Sequence, residues 1–184
     1  NFWVGTINGL QLFDRMSNSF KLFPLNTQDD ASSNPHITSI LQDKNGYLWV
    51  CTSGNGITRI NPQTLELAGG QDLKAKLGSV YLTTIYEDRN GMFWIGSEDK
   101  GLTVLNPATN SIDQSLQQLP WMKTLADKQI SAIVEDQSGN VVIGTLNGGL
   151  GVYMRHENRF KLFEGFAAGG YPVHGKTLMK DATG

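Results

Sequence analysis

The three histidines are the first residues to consider for metal or acid–base chemistry. His36, His156 and His174 are far apart in the sequence, no His-x-x-x-His spacing occurs, and the single Cys51 cannot build a cysteine zinc cluster. No Gly-x-Ser-x-Gly nucleophile motif is present. The glycine-rich stretches 53–56 and 147–149 do not precede predicted helices, which argues against phosphate binding. We therefore expect no catalytic residue, no metal site and no cofactor.

Aspartates recur at a regular spacing and form the clearest pattern in the chain. They begin similar segments that lie 45, 48 and 45 residues apart, at Asp43, Asp88, Asp136 and Asp181. The start of the first segment, Asp-x-Asn, is similar to a calcium loop, but the remaining ligands and the distal Glu are missing. Aspartate at the first position and glycine at the fourth are typical of a tight turn. We therefore predict structural turns, with their glycines at Gly46, Gly91 and Gly139.

Each of these turns is followed by a short apolar segment. It carries Trp49 in one copy and Trp94 in the next, while the third copy has Val142 at this position. The chain ends on the first half of the same motif, at Asp181, and begins on its second half, which includes Trp3. The sequence therefore holds four repeats of about 45 residues, with one of them split between the two ends.

The repeats predict an all-β fold of propeller blades. Within one period, β-branched and apolar runs at 37–41, 48–50, 57–60 and 65–67 are separated by turn residues, which indicates four short antiparallel strands. The runs at 37–41, 84–87 and 131–135 should be the innermost strands. The recurring Trp side chains should pack between blades. A helical pattern is present only near 119–128, so a helical solenoid is excluded.

We accordingly expect a single propeller segment over 1–184. Its blades should cover about 36–67, 82–109 and 129–163, with a split blade made from 1–23 and 177–184. If the ring closes within the chain, 177–180 should pair with 2–6. Alternatively, the segment belongs to a larger ring, or two copies close an eight-bladed ring as a homodimer.

Composition narrows the classes of function. The 184 residues carry 15 Lys and Arg against 17 Asp and Glu, which gives a net charge of -2 and argues against nucleic-acid binding. No apolar run is long enough for a membrane span.

The motif Asp-x-x-Gly-x-x-Trp-[Ile/Val]-Gly-[Thr/Ser] resembles the two-component regulator propeller repeat. The resemblance covers nearly the whole chain, with Val142 in place of Trp and Cys51 in place of Gly as departures. It implies the periplasmic or extracytoplasmic sensor region of an inner-membrane hybrid histidine kinase or diguanylate cyclase. The implied partners are further propeller blades and a membrane-linked output domain, both outside this chain.

Ligand binding is expected at the long, variable connections between blades, 24–36, 68–80, 110–128 and 164–176. The loops between the second and third strands of each blade should share their face. Aromatic rings near Asn and Asp suit a carbohydrate or another small ligand. The candidate binding residues are Asn55, Tyr81, Asp99, Lys100, Trp121, Asn147, Phe166, Tyr171 and His174. The alternative for Trp121 and Phe166 is that they fill the loops.

Two other functions stay open at this point. One is a propeller enzyme resembling virginiamycin B lyase, with His174 or His156 as the acid–base residue. The other is a structural scaffold with no small ligand. A histidine clustered with a carboxylate at the central channel would favour the enzyme, whereas an open aromatic groove would favour the sensor.

Overall fold

The computed structural model describes residues 2–25, 34–70, 72–146, 148–163, 178–179 and 181. These residues form four separate antiparallel sheets, each built from strands that follow one another in the chain. Such sheets are the blades of a propeller, numbered here from one to four along the chain. The predicted all-β propeller fold is confirmed.

The strands have the following bounds. The first blade contains β1 (Phe2–Thr6), β2 (Gly9–Asp14) and β3 (Ser19–Phe23). The second contains β4 (His36–Gln42), β5 (Leu48–Ser53), β6 (Gly56–Asn61) and β7 (Glu66–Leu67). The third contains β8 (Leu82–Glu87), β9 (Phe93–Ser97), β10 (Leu102–Asn106) and β11 (Ser111–Ile112). The fourth contains β12 (Ile130–Glu135), β13 (Val141–Thr145), β14 (Gly149–Met154) and β15 (Arg159–Phe163).

The innermost strands were predicted correctly. β4, β8 and β12 lie at one edge of their sheets, and β8 contacts both β4 and β12 of the neighbouring blades. In the first blade the described sheet begins at β1, which contacts β4. Leu178 and Met179 belong to no strand, and Thr177 and Lys180 lie outside the described residues, so the predicted pairing of the two chain ends stays a prediction.

Short helices occupy the connections between blades. They are α1 (Leu73–Leu77), α2 (Gln114–Gln117) and a 3-10 helix at Pro120–Leu125. A second 3-10 turn, Arg155–Glu157, lies between β14 and β15. The Asp113 carboxylate accepts the backbone N–H groups of Ser115 and Leu116 and so caps α2. Across the described ranges, no helix is long and apolar enough to cross a membrane.

The apolar core consists of three clusters, and each lies between two neighbouring blades. The cluster between the second and third blades contains Trp49, Ile57, Ile85 and Phe93, all at most 6% exposed. In every case the Trp-bearing face of one blade packs against the opposite face of the next blade. Trp49 and Trp94 are 1% and 0% exposed and lie in two of these clusters, at the positions where we predict packing between blades. Trp3 is only half-buried and packs edge-on against Phe23.

Neighbouring blades approach each other closely where the motif ends in glycine, which has no side chain. A Cβ atom on Gly96 would lie 2.6 Å from Ile130 Cγ2, and one on Gly5 would lie 2.6 Å from Ile37 Cγ2. No larger residue fits at either place without displacing an isoleucine of the next blade's innermost strand.

Polar contacts also join the blades, at the Asp turns. The backbone N–H of Arg89 and its Nε atom both contact the Glu135 carboxylate of the next blade, at 2.9 and 2.8 Å. Its Nη2 atom donates to the carbonyl oxygens of Asp136 and Gln137. Lys44 repeats this arrangement one blade earlier, with Glu87 and the carbonyl oxygens of Asp88 and Arg89. We call each such set of contacts a turn latch.

Candidate functional site

The strand directions divide the propeller into two faces. The Asp turns connect the first and second strands of a blade, so they lie at the end where the innermost strands finish. The connections between blades, and the loops between second and third strands, lie at the opposite end. We call these the turn face and the long-loop face.

The aspartates of the turn face have a structural role. The Asp43 carboxylate accepts the backbone N–H groups of Asn45 and Tyr47, each at 2.9 Å, and the indole N–H of Trp49 at 2.8 Å. Gly46 adopts φ +84°, which glycine tolerates without strain. The recurring Asp, Gly and Trp therefore form one hydrogen-bonded unit, which explains their fixed spacing.

The third and fourth blades repeat this unit with variations. The Asp88 carboxylate binds the Trp94 indole at 2.9 Å and also the Arg155 guanidinium at 2.7 Å. In the fourth blade Val142 cannot donate, and the Asn140 side-chain amide reaches the Asp136 carboxylate at 2.7 Å instead. The carboxylates of the turn face are thus occupied by protein donors. Asp181 lies between undescribed neighbours on both sides.

A pocket opens along the axis at the long-loop face. It has a volume of about 250 Å³ and lies where the three described innermost strands begin. Its lining residues are His36, Ile37, Thr38, Thr83, Ile130, Ser131 and Leu146. A second cavity of about 210 Å³ lies beside Gly5 and β4.

The pocket combines hydroxyl groups with apolar side chains. Thr38, Thr83 and Ser131 occupy the same repeat position, five residues before their Asp turns. The Thr38 hydroxyl donates to the Leu82 carbonyl oxygen at 2.7 Å, which leaves its lone pairs free to accept. The Thr83 Oγ1 atom is buried and has no hydrogen-bond partner among the described residues. An unpaired buried hydroxyl is costly, but this one has no exposed surface through which a ligand in the pocket would reach it.

Sequence reasoning did not identify the pocket residues. Threonine and serine are common in strands, and no chemical motif marks them. The one available signal was their shared offset from the Asp turn, which places them side by side around the axis.

Four predicted binding residues lie at the long-loop face, and none of them is among the lining residues of the pocket. Asn55 lies in the turn between β5 and β6, where the N–H groups of Gly54 and Gly56 donate to the Val80 carbonyl oxygen. The adjacent Tyr81 is 47% exposed. Its N–H donates to the Ser79 hydroxyl, which in turn donates to the Asp99 carboxylate. Lys100 follows in the same loop and is exposed.

Trp121 lies in the core and does not line an open groove. It is 9% exposed, and its ring stacks on Tyr153 at 5.0 Å and on Phe160 at 4.6 Å between ring centres. The loop-filling alternative fits this placement, because the ring is nearly buried and packs against two aromatic side chains of the fourth blade. The other four predicted binding residues lie outside the described residues: Asn147, Phe166, Tyr171 and His174.

The described residues offer little for acid–base or metal chemistry. His156 is exposed at the turn face, at the opposite end from the axial pocket. His36 lines the pocket, but no carboxylate is among its described lining residues. Burial raises the pKa of the Cys51 thiol far above its usual range, so it stays protonated and unreactive. Within the described ranges, no three His, Cys, Asp or Glu side chains converge as a metal site would require.

Known proteins share both the motif and the fold. The family model of the two component regulator propeller matches residues 31–54 and 76–99. Histidine kinase P4 of Formosa agariphila is 34% identical over 71 residues, which cover 36% of this chain and 5% of that relative.

Two solved structures extend the comparison. The extracellular domain of a protein described as a hybrid two component system from B. thetaiotaomicron superposes with a TM-score of 0.72 at 24% identity. The match covers 99% of this chain and 24% of that one. Virginiamycin B lyase from Staphylococcus aureus superposes with a TM-score of 0.58 at 14% identity, covering 86% of this chain and 49% of the lyase. At such identities each likeness shows the fold alone.

The motif and the fold agree with each other. Each segment that the family model matches contains an innermost strand, an Asp turn and the Trp that binds the aspartate. Residues 31–54 and 76–99 thus match the two component regulator propeller model, and the described residues fold as propeller blades.

Proposed function

We propose that this propeller is a ligand-binding part of the extracytoplasmic sensor of a two-component signalling protein and is itself non-catalytic. The match of residues 31–54 and 76–99 to the two component regulator propeller model supports a role in such signalling. The neighbour from B. thetaiotaomicron is an extracellular domain, which supports the proposed location. The signal would pass to a membrane-linked output domain outside this chain.

The axial pocket carries the proposal. Its hydroxyl groups can donate and accept, and Ile37, Ile130 and Leu146 supply apolar surface beside them. No described lining residue is a carboxylate, Lys or Arg, which favours an uncharged ligand. Its volume is smaller than the roughly 300–1,000 Å³ of pockets for drug-sized ligands, which suits a group as small as one sugar ring. A neutral sugar alternates hydroxyl and C–H surface in the same way.

The rim of the long-loop face supports a larger ligand than the pocket alone would hold. Tyr81 is 47% exposed, and its backbone N–H is connected to the Asp99 carboxylate through the Ser79 hydroxyl. An aromatic ring can stack on the C–H face of a second sugar unit while polar groups bind its hydroxyls. We therefore propose a short neutral oligosaccharide, with one unit in the pocket and the next at Tyr81.

Saturation-transfer NMR with a panel of neutral di- and trisaccharides tests this function. We expect saturation to reach the C–H protons of at least one panel member, and titration calorimetry then gives its affinity. A panel without any binder would contradict the carbohydrate proposal.

A matched pair of variants tests the location. Thr38→Val removes a hydroxyl of the pocket lining while nearly keeping the shape of the side chain, so affinity should fall about tenfold. Thr103→Val makes the same change on β10, away from the axis, and should leave affinity unchanged. Equal affinity in the two variants would show that the sugar binds elsewhere.

A further inference from the structure

The second blade carries a charged residue where the other blades are apolar. Arg59 of β6 lies opposite Trp49 in the strand register. The residues at the matching position of the other blades are all aliphatic: Leu12, Val104 and Val152. This position lies on the Trp-bearing face of each blade, where the core clusters form and where a charge is costly. Packing alone therefore does not explain Arg59.

An aromatic ring of the same blade lies against the Arg59 guanidinium. The Cζ atom of Arg59 is 3.7 Å from the centre of the Tyr47 ring and 5.3 Å from that of the Trp49 ring. The third and fourth blades have Met92 and Asn140 at the position of Tyr47. The two residues that depart from the repeat thus contact each other, and we call this pair the Arg59–Tyr47 stack.

The Asp turn holds the ring of this stack in place. The Tyr47 N–H donates to the Asp43 carboxylate at 2.9 Å, and the Asp43 N–H donates to the Tyr47 carbonyl oxygen at 2.9 Å. Because Tyr47 directly precedes β5, the stack lies near the turn face, at the opposite end of the propeller from the axial pocket. It belongs to the junction between the second and third blades, and both of these blades have four described strands.

The Arg59 guanidinium has no partner that accepts its N–H groups among the described residues. Its Nε atom is buried without a hydrogen bond, whereas Nη1 and Nη2, which also lack a partner, are accessible. By contrast, Arg89 and Arg155 pair with Glu135 and Asp88 at 2.8 and 2.7 Å. A half-buried cation without a counter-charge is unfavourable, so an external acceptor would stabilise Arg59.

We propose that the Arg59–Tyr47 stack binds the carboxylate group of a small acidic ligand, at a site separate from the axial pocket. Nη1 and Nη2 form the accessible end of the guanidinium, and their two N–H donors match the two oxygens of a carboxylate. The ring beneath the guanidinium restricts its motion before the ligand arrives, so less conformational freedom is lost on binding. The ligand carboxylate supplies the counter-charge that the blade does not provide.

Stability measurements separate a binding role of Arg59 from a structural one. Arg59→Val introduces the residue found at the matching position of the third and fourth blades. If Arg59 serves binding, removal of an unpaired charge should leave the urea midpoint unchanged or raise it. A midpoint below that of the wild type would show that Arg59 stabilises the junction, and the proposal would fail.

NMR of the arginine Nε–Hε signals tests carboxylate binding directly, with sodium acetate as the probe. Acetate should shift the Arg59 signal along a saturable curve with half-saturation at about 10–100 mM, as expected for one charge-assisted bidentate contact. Sodium chloride at the same ionic strength should not produce this shift. The Arg59→Gln variant assigns the signal, because it lacks it. No saturable shift with acetate, or a larger shift with sulfate than with acetate, would overturn the proposal.

Three further variants control this titration. Tyr47→Leu removes the ring beneath Arg59, so the acetate response should weaken. Arg15→Gln changes an exposed arginine 5.4 Å from the centre of the Phe2 ring, and the Arg59 response should stay the same. Glu66, opposite Asn61 on β7, is the nearest carboxylate in the strand register. If Glu66→Gln by itself moves the Arg59 signal and acetate then restores it, Arg59 pairs within its own blade and the proposal fails.

Discussion

Asp88 holds the most strongly connected carboxylate of the turn face. Its side chain is fully buried and binds the Trp94 indole, the Arg155 guanidinium and two backbone N–H groups. Burial by itself would raise its pKa, but the hydrogen bonds from Trp94 and Arg155 outweigh burial and hold the pKa below its usual value. The ionised form is therefore the one that stabilises the fold.

Asp88→Asn should destabilise the protein by about 2–3 kcal/mol at neutral pH. The reason is that the Arg155 guanidinium keeps its charge but loses the carboxylate that pairs with it. Because the Asp88 pKa is lower in the folded protein than in the unfolded chain, its ionised carboxylate stabilises the fold at pH values above the unfolded-state pKa. This stabilisation is lost as the pH falls through the folded-state pKa. The difference between variant and wild type should therefore shrink below about pH 4. Urea unfolding at a series of pH values measures it. Asp136→Asn should cost less, because no arginine contacts the Asp136 carboxylate among the described residues. An equal cost would contradict the role given to Arg155.

A second feature at this scale is backbone strain at Leu65. Four residues occupy the same position just before the outermost strand of each blade, and all have φ between +47° and +59°. Three of them are asparagine, which tolerates this conformation: Asn18, Asn110 and Asn158. Leu65 is the exception and is 46% exposed, so nothing in the core requires its side chain.

Leu65→Asn should stabilise the protein by about 1 kcal/mol, because the left-handed backbone conformation is less strained for asparagine than for leucine. The reverse change, Asn18→Leu, should destabilise it by a similar amount at the exposed matching position. Denaturant unfolding measures both. A Leu65→Asn variant no more stable than wild type would refute the strain argument.

The sequence predicted the residues of the Asp turn but not the residues of the pocket. Asp, Gly and Trp have strong positional preferences, so their repetition was visible along the chain. Thr38, Thr83 and Ser131 carry no such signal, and their proximity results from the arrangement of blades around the axis. Trp121 was ambiguous because an exposed ring and a loop-filling ring look the same in sequence.

Turn latches give the blades unequal polar connections. The Arg89–Glu135 latch has a 2.8 Å ion pair and a glutamate that is 5% exposed. The Lys44–Glu87 pair is 3.8 Å apart, and the lysine is 56% exposed. The same repeat position thus holds a close, partly buried pair in one junction and a loose, solvated pair in the other.

Double-mutant cycles should resolve this difference. We expect a coupling energy of about 1 kcal/mol for Arg89 with Glu135, and only a few tenths for Lys44 with Glu87. Urea unfolding of the single and double glutamine variants gives both values. Salt should weaken the Lys44 coupling more, since exposed pairs are screened more strongly. Equal couplings would show that burial of Glu135 adds nothing.

Strands were predictable from the repeat because their alternating apolar pattern recurs three times. Helix α1 was not predicted, since five residues are too few to show a helical period. The third blade also extends past its predicted end at 109, to the two-residue strand β11. Such short elements depend on packing against neighbouring blades and leave little trace in the local sequence.

At the scale of the whole molecule, the blades differ in how many neighbours cover them. The second and third blades lie between two blades and contribute most of the fully buried residues. The first blade has three described strands, an exposed apolar face and a half-buried Trp3. In repeat proteins the stability of a unit depends mainly on its own folding and on its junctions with neighbours.

Hydrogen exchange should therefore follow the position of the blades. We expect the slowest amide exchange in β5 and β9, which are buried on both faces, and the fastest among the described strands in β1 and β3. Mass spectrometry of exchanged peptides measures these rates. Uniform exchange across the four blades would show that the chain opens as one cooperative unit, and the exposure of Phe2 and Phe20 would then have no energetic consequence for the first blade.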